Sequence, residues 1–187
     1  MANSKIVFGF PGIGKTYCFA HQKELGLTLV DSDSSMFHWV YDLNGNPCLD
    51  EDGNKREHPE WPMNYIKYVT LIGKEKAEKP DYILMSTHED VMNAMKDSGF
   101  DMILVVPGAD EKDNMMRLYK ERGNDERFIK TMDEKYEEYR KGAIARAVDL
   151  GAIAIVPIHP FSVAENAYAN LFEYFKYPPK DAMTFDK

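Results

Sequence analysis

The run Gly9-Phe10-Pro11-Gly12-Ile13-Gly14-Lys15-Thr16 has the spacing G-x-x-x-x-G-K-[ST]. This is the pattern a backbone needs to wrap an oligophosphate. Glycines at positions 9, 12 and 14 permit a tight turn whose N–H groups converge on phosphate oxygens. A helix beginning at about Gly14 would add the positive end of its dipole. Lys15 would reach the β- and γ-phosphates, and Thr16 would offer its hydroxyl to Mg²⁺. The expected nucleotide-binding residues are Gly9, Pro11, Gly12, Ile13, Gly14, Lys15, Thr16 and Tyr17, with ATP and Mg²⁺ as the ligands.

The flanks supply the strand–loop–helix context. Lys5-Ile6-Val7-Phe8 is apolar and β-branched, as a buried strand should be. Thr16 to Leu25 contains neither Pro nor Gly and reads as a helix stopped by Gly26. The same alternation continues. Strands are expected at Leu27–Asp31, Tyr82–Ser86, Met102–Val106 and Ala152–Val156. Helices are expected at about Ser32–Tyr41, Met63–Lys79, Glu89–Ser98, Glu111–Arg122, Glu126–Leu150 and Ser162–Phe175. Between Asp42 and Pro62 the turn dipeptides Asn44-Gly45 and Asp52-Gly53 mark either a hairpin or an irregular insert. Near-continuously apolar strands, each followed by a helix, predict an α/β protein: a three-layer α/β/α sandwich around a five-stranded parallel sheet. The chain reads as one domain over residues 1–187, with an acceptor-covering insert at 34–79 and a lid at 110–140. No internal repeat is expected.

Ligands of such sheets sit outside the carboxyl ends of the strands, so the residues after each strand come next. Asp31-Ser32-Asp33 places two carboxylates after the second strand. Asp31 would hold Mg²⁺ through water, and Asp33 would serve an acceptor hydroxyl as general base. The bland alternative is a helix cap, since Asp and Ser are favoured there. No carboxylate follows the third strand; Ser86-Thr87-His88 does, and His88 either meets the acceptor or caps the helix at Glu89. After the fourth strand, Arg117, Arg122 and Arg127 cluster around Gly123-Asn124-Asp125. In a phosphotransferase such arginines close over the nucleotide and stabilise charge on the transferring group. Arg117 and Arg122 are the expected pair. The insert is rich in aromatic residues. Trp39 and Tyr65 are expected to face a base or sugar while others form a satellite core, and Arg56 is expected to hold an acceptor phosphate. His21, His58 and His159 have no ligand spacing and read as structural or surface residues, as does Asp110.

Composition bounds the rest. The chain has 187 residues, is 44% hydrophobic and 29% charged, and carries a net charge of -8. That balance suits a globular protein and disfavours a broad nucleic-acid surface, leaving nucleic acid as a partner only in the role of substrate. Cys18 and Cys48 are the two cysteines and lie in no zinc-type spacing. No apolar run would span a bilayer and no targeting pattern is seen, so a cytoplasmic protein is expected, with no membrane partner. A monomer or homodimer is expected.

With these motifs in place, the chain resembles the nucleoside-monophosphate-kinase-like branch of P-loop kinases over nearly its full length. Asp31-Ser32-Asp33 resembles the Asp-Ser-Asp of shikimate kinase, which implies carboxylates serving Mg²⁺ and an acceptor hydroxyl. Val106-Pro107 through Arg117-Leu118-x-x-Arg122-Gly123-x-Asp125 is similar to the lid region of guanylate kinase. Asp33-Ser34-x-x-Phe37 near Trp39, with Trp61-Pro62-x-Asn64-Tyr65, is similar to phage-encoded nucleotide kinases, which would place the protein in the host cytoplasm. The Asp-Arg pair of thymidylate kinases and the Tyr/Arg acceptor pattern of guanylate kinase are absent. The resemblance implies ATP-dependent phosphoryl transfer to a small-molecule or nucleotide acceptor. The first expectation is a (deoxy)nucleoside monophosphate kinase. The alternatives are a kinase of a hydroxyl group on a metabolite, a nucleoside or a hydroxymethylated DNA base, and a non-catalytic nucleotide-switched binding protein.

Overall fold

Five strands pair in parallel in the order β2-β3-β1-β4-β5, in a computed structural model that describes residues 3–161 and 168–178. They are β1 Lys5–Gly9, β2 Leu29–Asp31, β3 Tyr82–Ser86, β4 Met102–Pro107 and β5 Ala154–Ile158. The expected α/β class and five-stranded all-parallel sheet are therefore observed. β1 lies at the centre, with Gly9 in register with Ser86 on one side and Val105 on the other. β4 is buried along its whole length. Its unbroken apolar run reflects a strand covered on both faces.

The helices are α1 Lys15–Ala20, α2 Gln22–Leu25, α3 Ser35–His38, α4 Met63–Thr70, α5 Glu89–Ala94, α6 Lys112–Glu121, α7 Glu126–Asp149 and α8 Leu171–Lys176. From β1 the chain first moves outward to β2 and then returns past β1 to β4 and β5. Right-handed crossovers accordingly place α1 on one face and α4 to α7 on the other. The packing agrees: α1 meets α8, while α5 meets both α4 and α7.

Several element boundaries differ from expectation, for local reasons. The first helix breaks at His21 (φ −109°, ψ 17°) into α1 and α2, and Gly26 at φ 66° closes the second. The helix expected to run from Ser32 to Tyr41 is only the turn Ser35–His38, because Ser32 still belongs to the sheet edge through its N–H to the Leu84 carbonyl (3.1 Å). α4 does not continue regularly to Lys79; it passes into a π turn over Leu71–Glu75. β5 starts two residues later than expected and runs on to Ile158. Of the last expected helix, residues 162–167 lie outside those described, and α8 covers the end of the range.

The insert after α3 corrects the expectation of no repeat. Two eight-residue units, Tyr41–Cys48 and Leu49–Arg56, share Asp, Gly and Asn at matching positions. In the first, Asp42 Oδ1 accepts the N–H groups of Asn44 and Asn46 (both 2.9 Å), and Gly45 takes φ 82°. In the second, Asp50 Oδ1 accepts those of Asp52 (3.0 Å) and Asn54 (2.8 Å), and Gly53 takes φ 81°. Residues eight apart then close a ring: Val40 N–H to Arg56 O (3.0 Å), Arg56 N–H to Cys48 O and Cys48 N–H to Val40 O (both 2.8 Å). The unit is far shorter than the 20–50-residue periods of repeat architectures, and only its turn chemistry recurs.

Candidate functional site

The glycine-rich loop leaves β1 at the middle of the sheet and ends in α1. Gly12 at φ 86° and Gly14 at φ 98° occupy backbone space that side-chain-bearing residues avoid. Gly12 is also sterically required: a Cβ there would sit 2.8 Å from Tyr119 Cε1. Phe10 N–H donates to Val105 O (3.0 Å) and anchors the loop to β4. Tyr119, buried on α6, donates its hydroxyl to Pro11 O at 2.9 Å and holds the outer side. Leu171 N–H donates to Ile13 O (2.9 Å), so α8 braces the third side. By contrast, the backbone N–H groups of Gly12, Gly14, Lys15 and Thr16 have no acceptor among the described residues. Unpaired backbone donors on a positive-φ loop are a feature of anion-binding concavities.

Lys15 lies inside this loop and donates to Gly9 O at 2.8 Å. Desolvation of its ammonium lowers its pKa to about 8, although the residue keeps some exposure; Asp31 and Asp33 pull it back up and Arg122 pushes it further down. These charges act on one nitrogen from β2, the loop after it and the end of α6. Asp31 is the last residue of β2, opposite Leu84. Its charge also adds to the burial that pushes the Cys18 thiol up to about 12, so that thiol is inert as a nucleophile. Asp33 is exposed and its Oδ1 accepts the Ser35 N–H (2.9 Å) in a turn just before α3, whose N-cap position is held by Ser34 without a side-chain bond. Ser34 and Ser86 share a hydroxyl hydrogen bond (3.1 Å) beside Gly9, tying this carboxylate loop to the strand next to the glycine loop. Thr16 and Tyr17 are exposed on the first turn of α1, and Tyr17 stacks on His21 at 4.0 Å.

The two expected arginines part company. Arg122 caps the C-terminus of α6, with Nη1 only 3.6 Å from where a Gly12 Cβ would lie. Arg117 stacks its guanidinium on Phe161, 3.7 Å from the ring centroid, in the segment after β5. The break at Gly123-Asn124-Asp125 is a sharp turn, with Gly123 at φ 71° and Asp125 capping α7 through the Phe128 N–H (2.8 Å).

The insert's aromatic residues form a stack over this edge. His38 lies between Trp39 (3.9 Å) and Trp61 (4.3 Å), and its Nε2 meets Glu57 at 3.1 Å. His88 presents its ring edge-on to His38 and Trp61. It occupies the N-cap position of α5 without a side-chain capping bond. Burial lowers its pKa; His38 and Lys15 lower it further, and Asp90 and Asp33 oppose them. His88 therefore shares an electrostatic environment with Lys15 and Asp33. Tyr65 is fully buried and donates to Ser32 O (3.2 Å), bracing the carboxylate loop from below. Asn64 Nδ2 holds Phe37 O at 2.8 Å. The Trp61-Pro62-x-Asn64-Tyr65 element is thus a clamp between α4 and the loop carrying Asp33. Arg56 is exposed, its backbone fixed by the three-membered ring.

Sequence reasoning missed Tyr119 as a loop anchor and His38 as the centre of the stack. It also missed His159, which meets Glu111 at 3.0 Å and Asp110 at 3.9 Å instead of lying alone on the surface. No helix among the described residues is long and apolar enough to cross a membrane. No protein-family model matches the chain, and no curated protein matches it.

Proposed function

We propose that the protein is an ATP-dependent phosphotransferase of the P-loop kinase type, acting on a nucleotide acceptor as a (deoxy)nucleoside monophosphate kinase. The observation that carries this reading is the convergence on Lys15. A lysine inside a loop whose N–H donors are unpaired among the described residues feels the charges of Asp31 and Asp33, which favour its ammonium, and of Arg122, which opposes it. The strand order, with the loop on the central strand, supports the P-loop kinase fold.

The residues present suit Mg-ATP. The loop donors would take phosphate oxygens, and Lys15 would exchange its bond to Gly9 O for them. Thr16 and Asp31, the former directly and the latter through water, would hold Mg²⁺ at the end of β2, since β3 ends in Ser86 without a carboxylate. Bound there, Mg²⁺ supplies charge neutralisation on the β- and γ-phosphates. Arg122 answers the charge that develops on the transferring group. The aromatic stack and His88 would bound the acceptor on the far side, with Arg56 as its cation.

Proton linkage tests the Lys15 assignment. With its pKa near 8, about half of the Lys15 side chains are neutral at pH 8, and a polyanion beside it favours the charged form. ATP binding at pH 8 should therefore take up about half a proton, falling toward zero by pH 6.5. Calorimetry in two buffers of different ionisation enthalpy reads this; buffer-independent heats at pH 8 would count against it.

The second reading, transfer to a hydroxyl, rests on Asp33, whose exposed carboxylate could take an alcohol's proton. A phosphate acceptor is already ionised and needs a cation more than a base. Mg-ATP turnover should be measured on nucleoside monophosphates, free nucleosides, polyols and modified DNA. On the leading reading a monophosphate turns over, Arg56→Ala raises its KM about tenfold or more, and Asp33→Asn costs less. Turnover on hydroxyl compounds alone, with a loss of about 10²–10⁴-fold for Asp33→Asn, would replace it with the second reading. ATP binding with no turnover on any acceptor would favour a nucleotide-switched binding protein.

A further inference from the structure

Away from the glycine loop, Asp110, Glu111 and His159 bring donor atoms within 4.8 Å of one another. The fold builds this meeting place at the carboxyl ends of β4 and β5. Gly108 N–H donates to Ile158 O (2.8 Å), and His159 N–H to Tyr168 O (2.7 Å), which fixes the two chain segments side by side. The imidazole lies across Gly108 so closely that a Cβ there would be 2.3 Å from His159 Cε1. A side chain at position 108 would evict the ring.

Glu111 is 4% exposed, yet its carboxylate meets no lysine or arginine among the described residues. Its partners are His159 Nδ1 (3.0 Å) and the neutral Asn114 amide (2.7 Å). Arg140, the nearby cation, donates to Pro107 O at 2.7 Å instead. A buried carboxylate is costly without positive charge beside it. The Tyr136 hydroxyl on α7 is buried with no hydrogen-bond partner among the described residues. The site therefore holds a buried carboxylate whose partners among the described residues are an imidazole and an amide.

We propose that His159 Nδ1, Glu111 Oε1 and Asp110 Oδ1 form a binding site for a divalent transition ion of the Zn²⁺ class. Tetrahedral centres with bonds of about 2.0–2.2 Å keep their donors roughly 3.3 Å apart. The separations of 3.0 and 3.9 Å bracket that value, and the exposed Asp110 is free to rotate inward. An imidazole with two carboxylates suits a borderline ion better than Mg²⁺, which prefers an all-oxygen shell. A fourth ligand would be water. The site uses no residue of the glycine loop, but it clips the root of α6 to the segment after β5. α6 carries Tyr119 and Arg122, so occupancy would steady the helix that braces the loop.

The test is titration of the full chain, without nucleotide, with Zn²⁺ by calorimetry and with Co²⁺ by its visible ligand-field absorption. One ion should bind per chain, with the stronger bands of a four-coordinate centre. His159→Ala and Glu111→Gln should each weaken binding at least tenfold, while Lys15→Ala leaves it unchanged. Circular dichroism checks that each variant is folded. His159 is partly exposed, so its variant carries the test if Glu111→Gln is unstable. Equal affinities for wild type and His159→Ala, or no stoichiometric binding of either ion, would overturn the site.

Discussion

Lys15→Ala is expected to lower Mg-ATP-dependent phosphoryl transfer by about 10²–10³-fold or more, the cost of removing one preorganised electrostatic donor. The position of the charge is the cause. The ammonium is held inside the glycine loop and, among the described residues, makes one hydrogen bond of its three, to Gly9 O. Its remaining donors are available to phosphate oxygens. The same variant should not be destabilised at pH 7. A lysine pKa lowered from 10.5 to about 8 means that the folded chain holds its charged form at a cost, with a ceiling of roughly 3 kcal/mol. That cost is present in full below pH 8 and disappears as pH rises from 8 to 10.5, where the unfolded chain binds more protons than the folded one. Alanine removes the cost and loses one modest hydrogen bond. Thermal unfolding at pH 7 should show a midpoint at or above wild type in a protein that no longer turns over ATP. A variant that loses activity only because it unfolds would contradict the assignment.

Arg122→Ala should cost about 10²-fold in kcat, with a smaller change in KM for ATP, because its charge is needed most as negative charge shifts on the transferring group. Arg122 is exposed and caps α6 through its backbone, so the substitution should change stability by less than about 1 kcal/mol. Its guanidinium also lowers the Lys15 pKa. Removing it should therefore raise that pKa and shrink the proton uptake on ATP binding at pH 8, a readout that a purely structural role would not move. Arg117→Ala is the control. Its guanidinium is engaged on Phe161 and it is not among the charges acting on Lys15, so its kcat loss should be the smaller of the two. Equal losses would show that the stacked arginine swings into the site on closure.

The glycine loop was legible because its chemistry is local. Backbone turn, donor array, lysine and hydroxyl fall within eight consecutive residues, and positive φ at Gly12 and Gly14 follows from residue type. The strands were legible because burial on both faces imposes an unbroken apolar run, as in Met102-Ile103-Leu104-Val105-Val106. Asp31 and Asp33 were singled out by the rule that sites lie beyond strand ends, and their charges raise the Lys15 pKa against its burial. The helix limits were not legible at His21, where the break uses neither Pro nor Gly, or after Thr70, where the π turn carries Gly73 so close to Phe100 that a Cβ would lie 2.7 Å from its Cε1.

By itself the sequence determined the sheet-forming segments, the glycine loop and the set of charges from which a site would be drawn. Tertiary structure decided their company. It brought Arg122 to Gly12 but sent Arg117 to Phe161, and it buried Tyr65 under the loop that carries Asp33. It also joined His159 to Glu111 across 48 residues. Spacing along a chain reports contacts only within one helix, strand or turn. Pairs made by parallel crossovers are fixed by strand order and register, which local patterns do not encode.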